Sequence, residues 1–473
     1  MAKTVPEVTY GQINDDVMQA TRPPRPLYWL LLALLGGGVG LGALIWLYQV
    51  LIGMGAAAIH HPVDWGVYIA NFVFWVGIAH SGTLISAILY LFRAKWRDAV
   101  SRSSEAMTIF AVLTAGLFPL IHLGRVWVFY YILPYPSQRQ IWPNFTSPLV
   151  WDVLAVFTYF TVSLIFFYVG LIPDFAAGRD HYEATLGPAH WRSRLYRGFA
   201  LGWSSAASQW RHYGRSYLFF AALATPLVIS VHSVVSWDFA MSLLTGWHTT
   251  MYAPYFVTGA IHSGLAMVLA LMIPMRRLLK LQNVIKLHHF EQVAKMTLVT
   301  TLLMGYFYLV EPFIAWYTGE PIEIQYISWR AFQFGWPAGL YWSILPLNAI
   351  IPLAFAFKKV RTNQLLLLLI ALGIVLGMWL ERLLIVPASL AHDFMPHNWT
   401  AFYAPNWVSG LITFGSFCLF FGAFVSFAKL LPTVPITELK TLVAEQRTKP
   451  MKAYEIEPKA RKPAPSEPAV LAV

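Results

Sequence analysis

The sequence predicts an all-α integral membrane protein of about ten transmembrane helices, arranged as two tandem four-helix bundles plus two peripheral helices. Three observations lead there. The 473 residues are 58% hydrophobic and only 12% charged, whereas soluble domains carry about 25% charged residues. Apolar runs of about 20 residues, enough to cross a bilayer, recur along the chain. The basic residues between those runs fall in alternate loops, which fixes an orientation.

The runs place spans at 27–53, 66–92, 105–133, 149–172, 216–238, 254–275, 292–317, 338–357, 364–386 and 407–431. Residues 1–26 are polar, lack a signal-peptide core and are expected in the cytoplasm. Lys3, Arg22 and Arg25 precede span 1. Arg93, Lys95, Arg97 and Arg102 separate spans 2 and 3, and six arginines separate spans 4 and 5. The sequence "MRRLLKLQNVIKLHHFEQVAK" separates spans 6 and 7, "KKVR" separates spans 8 and 9, and the tail is lysine-rich. Both termini are therefore expected in the cytoplasm of a multi-pass protein in the bacterial inner membrane. The net charge of +11 serves that orientation, and no nucleic-acid partner is expected. Arg125, Arg139, Arg330 and Arg382 lie toward the other side. Arg139 and Arg330 are expected in outer loops, Arg125 and Arg382 within helices. The segment 175–215 reads either as an interfacial amphipathic helix or as a plain loop. The proline-rich tail, 432–473, is expected to be extended and to order only against a partner.

Internal repeats organise the spans. His80-Ser81-Gly82 in span 2 matches His262-Ser263-Gly264 in span 6. "YAPYFVTG" entering span 6 matches "YAPNWVSG" entering span 10. Setting Met107-Thr108 on Met296-Thr297 places His122 opposite Glu311. The four-helix period gives parallel repeats, a first bundle at 66–238 and a second at 254–386. Spans 1 and 10 lie outside them.

Ionisable residues inside spans are costly and are functional candidates by default. His122, Asp152 and Asp238 share one bundle and one depth, below the outer surface. Arg382 lies at similar depth in the second bundle. Such a set suits the oxidation of a quinol, whose two hydroxyls each lose a proton as electrons leave. A histidine or carboxylate in hydrogen-bond reach accepts one. Trp127, Trp151 and Trp237 are placed to flank a flat ring, and His232 lies six residues before Asp238. Arg125, nearer the surface, would set the charge seen by a docked partner or by Asp152. His80, His262, Glu311 and Glu381 form a candidate proton path. The plainer readings stay open. His122 would bond a carbonyl, the aspartates would cap helices, and the repeated histidines would serve packing. One cysteine, Cys418, supplies no thiolate set for zinc or an iron–sulfur cluster. No metal, haem or cluster is expected in this chain.

Two four-helix bundles carrying His122, Asp152 and Asp238 resemble the NrfD-type, polysulfide-reductase-like membrane subunits. Ten spans, a basic tail and Arg382 resemble more narrowly the quinol-binding (ActC-type) subunits of bacterial alternative complex III. The resemblance covers residues 25–431. It implies a menaquinol site near the periplasmic face, formed by His122, Asp152, Asp238 and Arg382. It implies three kinds of partner: a periplasmic iron–sulfur protein, c-type cytochromes and a homologous NrfD-like membrane subunit without a working quinol site. Three alternatives stand beside it. They are that sister subunit, a haem b cytochrome using histidines such as His122 and His232, and an ion transporter.

Overall fold

The structure, a computed structural model, describes residues 10–21, 26–132, 145–333, 335–392, 395 and 403–441. Lys3, Arg22, Arg25, Arg139 and the tail from 442 lie outside the described residues. Those described form an all-helical, multi-pass membrane protein. Its ten candidate spans are Pro26–Ile52, Val67–Leu91, Ser101–His122, Pro148–Leu186, Ala207–Ala240, Tyr252–Leu278, Leu287–Thr318, Trp336–Ala356, Gln364–Ala391 and Trp407–Leu430. They are called spans 1–10. An even number returns the chain to the side it left. The side where span 1 begins and span 10 ends, which also holds most basic loops, is called the basic side, and the opposite one the far side.

Spans 2–5 pack together, as do spans 6–9, and span 1 pairs with span 10 beside them. The two groups meet through spans 2, 5, 6 and 9. Spans 2 and 6 are the most buried, and the repeated motif lies in both. A Cβ at Gly264 would fall 1.9 Å from Ser81 Oγ, and one at Gly82 2.2 Å from the Ser104 carbonyl oxygen. Glycine at these places lets the helix backbones approach, the usual way spans associate where water supplies no hydrophobic drive.

Several expected boundaries move. Span 3 ends at His122 instead of 133, because Gly124 adopts φ +67° and a 3-10 helix, Val126–Ile132, follows. Arg125 is therefore exposed beyond the helix and not within it. Span 4 runs through Pro173 to Leu186. At about 1.5 Å per residue it far exceeds the bilayer core. The segment 175–215 is thus the end of span 4, a short helix Trp191–Phe199 and the start of span 5. Apolarity stops near 172, but helix-favouring residues continue the backbone. In the short helix Trp191 is exposed while Tyr196 is buried against Phe175 and Tyr182.

Span 8 changes from α-helix (Trp336–Leu345) to a π turn (Pro346–Ile350) and a 3-10 helix (Ile351–Ala356). Pro346 and Pro352 lack the amide protons that a regular helix uses. Span 2 also carries a π turn, Leu84–Ile88, directly after its motif. Arg330 is no loop residue. It lies on a helix, Pro321–Phe332, and is buried. Finally, residues 431–441 are not free tail. Thr433, Val434 and Ile436 are buried against the chain itself.

Candidate functional site

Asp152 opens span 4 and Asp238 closes span 5, both on the far side. Because these spans pack side by side, the two carboxyls meet within hydrogen-bonding reach. Asp152 is buried, and each aspartate has a buried Oδ1 without a partner. Neither is satisfied as a helix cap. Their sequence neighbours Trp151 and Trp237 also meet, ring centres 6.3 Å apart and edge to face. Trp151 Nε1 donates to the Phe145 carbonyl, which holds its ring. Two carboxyls with free oxygens thus meet at the end of the first bundle, where their sequence neighbours also touch. Such a pair can accept a proton from a hydroxyl and hold it between two oxygens.

His122 lies on the neighbouring span 3, at its last helical turn. Its Nδ1 is buried without a partner, and Asp64, in the loop before span 2, is the charged group that acts on it. No hydrogen bond joins His122 to either aspartate. The packing brings the aspartates together and leaves His122 as a separate group at the same end. Trp127 is exposed beyond span 3.

Deeper in the bundle, His232 faces His80, ring centres 4.7 Å apart, and His80 stacks on Tyr159 at 5.0 Å. His80 Nδ1 faces the Val76 carbonyl, so that nitrogen carries the proton and Nε2 presents a buried, unpartnered lone pair. The ring nitrogens of His232 make no hydrogen bond of normal geometry. Two imidazoles on opposite faces of a haem, each with a metal–nitrogen bond of about 2.0 Å, hold their ring centres about 6 Å apart, so His80 and His232 do not bracket a haem iron as placed. Tyr159 donates to the Ala79 carbonyl and shares a hydrogen bond with Thr83.

The second bundle holds a different cluster. Arg330 and Glu311 form a two-pronged pair at 2.8 Å on both arms. Glu381 accepts from Tyr255 at 2.7 Å, from Tyr308 and from Asn348 at 3.3 Å, and lies 3.5 Å from Arg382. A cavity of about 30 Å³, lined by Glu311, Arg330, Glu381 and three tyrosines, separates the two pairs. It is roughly the space of one water molecule. Arg382 lies over the Phe256 ring at 4.2 Å and sits at the seam of the bundles, paired with Glu381. Its electrostatic influence reaches His232. His262 shares a hydrogen bond with Thr300 at 2.9 Å, and its Nε2 is unpartnered. The repeated histidines thus have different partners.

Sequence reasoning missed Tyr159, Tyr255, Tyr308 and Asn348, because apolar runs conceal tyrosines and one amide carries little signal. It also missed Glu105 and Asp174. Asp174 follows Pro173, where the apolar run ends, and so read as loop.

Residues 56–392 match the family described as polysulphide reductase, NrfD. A protein of Halobacterium salinarum, named provisionally as a membrane subunit of dimethyl sulfoxide reductase, is 28% identical over 268 residues. That match is 55% of each chain, so this chain spans about half the length of that relative. A selenate reductase subunit of Mesobacillus selenatarsenatis is 24% identical, over 72% of this chain and 78% of the relative. The Hdr-like menaquinol oxidoreductase integral membrane subunit of Archaeoglobus fulgidus is 21% identical, over 93% of this chain and 100% of the relative. The family match takes in spans 2–9, both bundles and every site residue described above, and the chain belongs to the NrfD polysulphide reductase family.

Proposed function

We propose that this chain is the membrane subunit of an oxidoreductase complex and that it oxidises quinol at the carboxyl pair of Asp152 and Asp238. The contact of buried Asp152 with half-buried Asp238, each with a free carboxyl oxygen, carries the reading. The full-length relative from Archaeoglobus bears a menaquinol oxidoreductase name, and menaquinol is the quinol proposed here. One quinol becomes one quinone, releasing two electrons and two protons. The carboxyl pair takes a hydroxyl proton and passes it to the far side, which is periplasmic in this reading. His122 bonds the other quinol oxygen and receives its proton. The electrons leave through an iron–sulfur protein docked at the far side and then, in an arrangement like alternative complex III, through c-type haems. Exposed Arg125 helps to seat that partner. The basic side and both termini are cytoplasmic. The assembly is completed by a second, homologous membrane protein.

The deeper groups extend the same reading. His232 and His80 lead from the carboxyl pair toward the middle of the first bundle. His262, Glu381 and Glu311, with the cavity between the acids, form a second set in the other bundle. Arg382 links the two. These are proposed as proton-handling groups, not as the quinol site.

The test is retention and oxidation of quinol by the purified complex. The intact complex is expected to yield bound quinone on extraction. Asp152→Asn with Asp238→Asn is expected to lose most of it while still assembling. Equal quinone content and equal oxidation in that variant would overturn the site.

A further inference from the structure

The basic end of the first bundle is closed by chain that follows the last span. Ser103 Oγ donates to the Thr433 carbonyl at 2.8 Å, and just before it Tyr196 Oη donates to the carbonyl of Leu430, the last residue of span 10, at 2.7 Å. The Glu438 carboxylate accepts from Arg97 at 3.1 Å and from Ser101 at 3.4 Å. The Thr437 amide and hydroxyl both donate to Asp174 Oδ1 at 3.3 Å. Behind this segment lies a buried charged cluster. Arg102 holds Asp174 at 3.1 Å and Glu105 at 2.8 Å, and Tyr217 donates to Glu105 at 3.1 Å. Arg102, Glu105 and Asp174 are almost wholly excluded from solvent. One helical turn above Glu105, Thr108 donates to the same Ala79 carbonyl as Tyr159, which stacks on His80.

We infer that residues 431–441 form a releasable strap, and that its displacement admits water from the basic side to Glu105 and Asp174. Breaking a buried ion pair ordinarily strands a charge, which makes such contacts permanent. Here it strands none. Arg97 keeps Asp98, 3.4 Å from its Nε, when Glu438 leaves. Arg102 keeps both Glu105 and Asp174. Asp174 loses two long hydrogen bonds and the nearby charge of Lys440, and water takes their place. The closed and open arrangements therefore both pair every guanidinium of the cluster, so the cost of opening is set mainly by exposing the buried Val434 and Ile436 and not by a stranded charge. Once open, the polar groups from Glu105 through Thr108 and Tyr159 to His80 face that opening. The strap itself stands apart from the quinol reading. Only the naming of its side as cytoplasmic rests on that reading.

Hydrogen–deuterium exchange of the assembled complex tests it. Glu438→Gln is expected to speed amide exchange at residues 97–108 and 170–178 about tenfold or more, with spans 9 and 10 unchanged. A second variant separates position from charge. In a Cys418→Ser background, Ser101→Cys with Glu438→Cys allows a cross-link between side chains now in contact. Reduced, this variant should exchange fast at the same residues, and oxidised it should exchange slowly. Unchanged exchange in Glu438→Gln overturns the strap. So does acceleration spread evenly over all spans, or fast exchange in the cross-linked form. Quinol oxidation plays no part in these outcomes, so the strap and the quinol site fail or stand separately.

Discussion

At the scale of single residues, the carboxyl pair decides most. Asparagine keeps the shape and hydrogen-bonding reach of Asp152 or Asp238 but takes no proton from a quinol hydroxyl. General acid–base groups contribute about 10²–10⁴-fold to rate. Asp152→Asn and Asp238→Asn are each expected to slow quinol oxidation within that range in an assembled complex. Steady-state turnover with a soluble quinol checks it. His122→Phe keeps a flat ring and removes both nitrogens, one of which is already buried without a partner. Weak quinol binding and little oxidation are expected. Near-normal turnover would leave His122 as a packing residue and confine the site to the aspartates.

At the scale of helices, contact depends on what is missing from the surface. Gly264 lets span 6 press against Ser81 of span 2, where a Cβ would fall inside van der Waals distance. Gly264→Val is expected to cost about 1–3 kcal/mol through overpacking, read as a lowered unfolding temperature in detergent. The Arg330–Glu311 fork ties the helix between spans 7 and 8 to span 7. Glu311→Gln leaves a buried guanidinium without its carboxylate, a loss of about 3–5 kcal/mol. Thermal unfolding should show it as a larger drop than Gly264→Val. An effect near zero would mean that water reaches Arg330. Span 8 shows another cost. Its π turn carries Asn348, which donates to Tyr308 at 2.9 Å and to Glu381. The irregular backbone thus delivers a partner to the buried acid.

At the scale of the molecule, spans 2 and 6 form the inner pair and spans 1 and 10 stand aside, their glycines in contact. A Cβ on Gly42 would fall 2.9 Å from Gly415 Cα. A reporter fused after residue 473 is expected to be active only when it functions in the cytoplasm. Activity restricted to the periplasm would reverse the orientation and, with it, the direction of proton release. The isolated chain is expected to show no haem band in a reduced-minus-oxidised spectrum. A stoichiometric band would restore the haem b alternative.

The sequence alone determined the solvent, the number of spans and the repeat. Each rests on local content, since a run of about 20 apolar residues has only one stable placement in a bilayer. It also placed Asp152 and Asp238 at one end of one bundle, because depth follows from counting along a helix. Azimuth does not. Whether two residues at one depth face each other depends on how the helices rotate and cross, and that is a property of packing. Only the tertiary structure therefore brought the aspartates into contact, set His122 apart from them and turned Arg382 toward Glu381. Only it joined His232 to His80 across two spans. The helix ends moved for a related reason. Gly124 stops span 3 inside an apolar run, and span 4 continues where its apolar run stops, so backbone geometry and hydropathy part company there. Glu438, more than 260 residues from Asp174, closes the charged cluster from a segment whose composition reads as free tail. No local pattern encodes that contact.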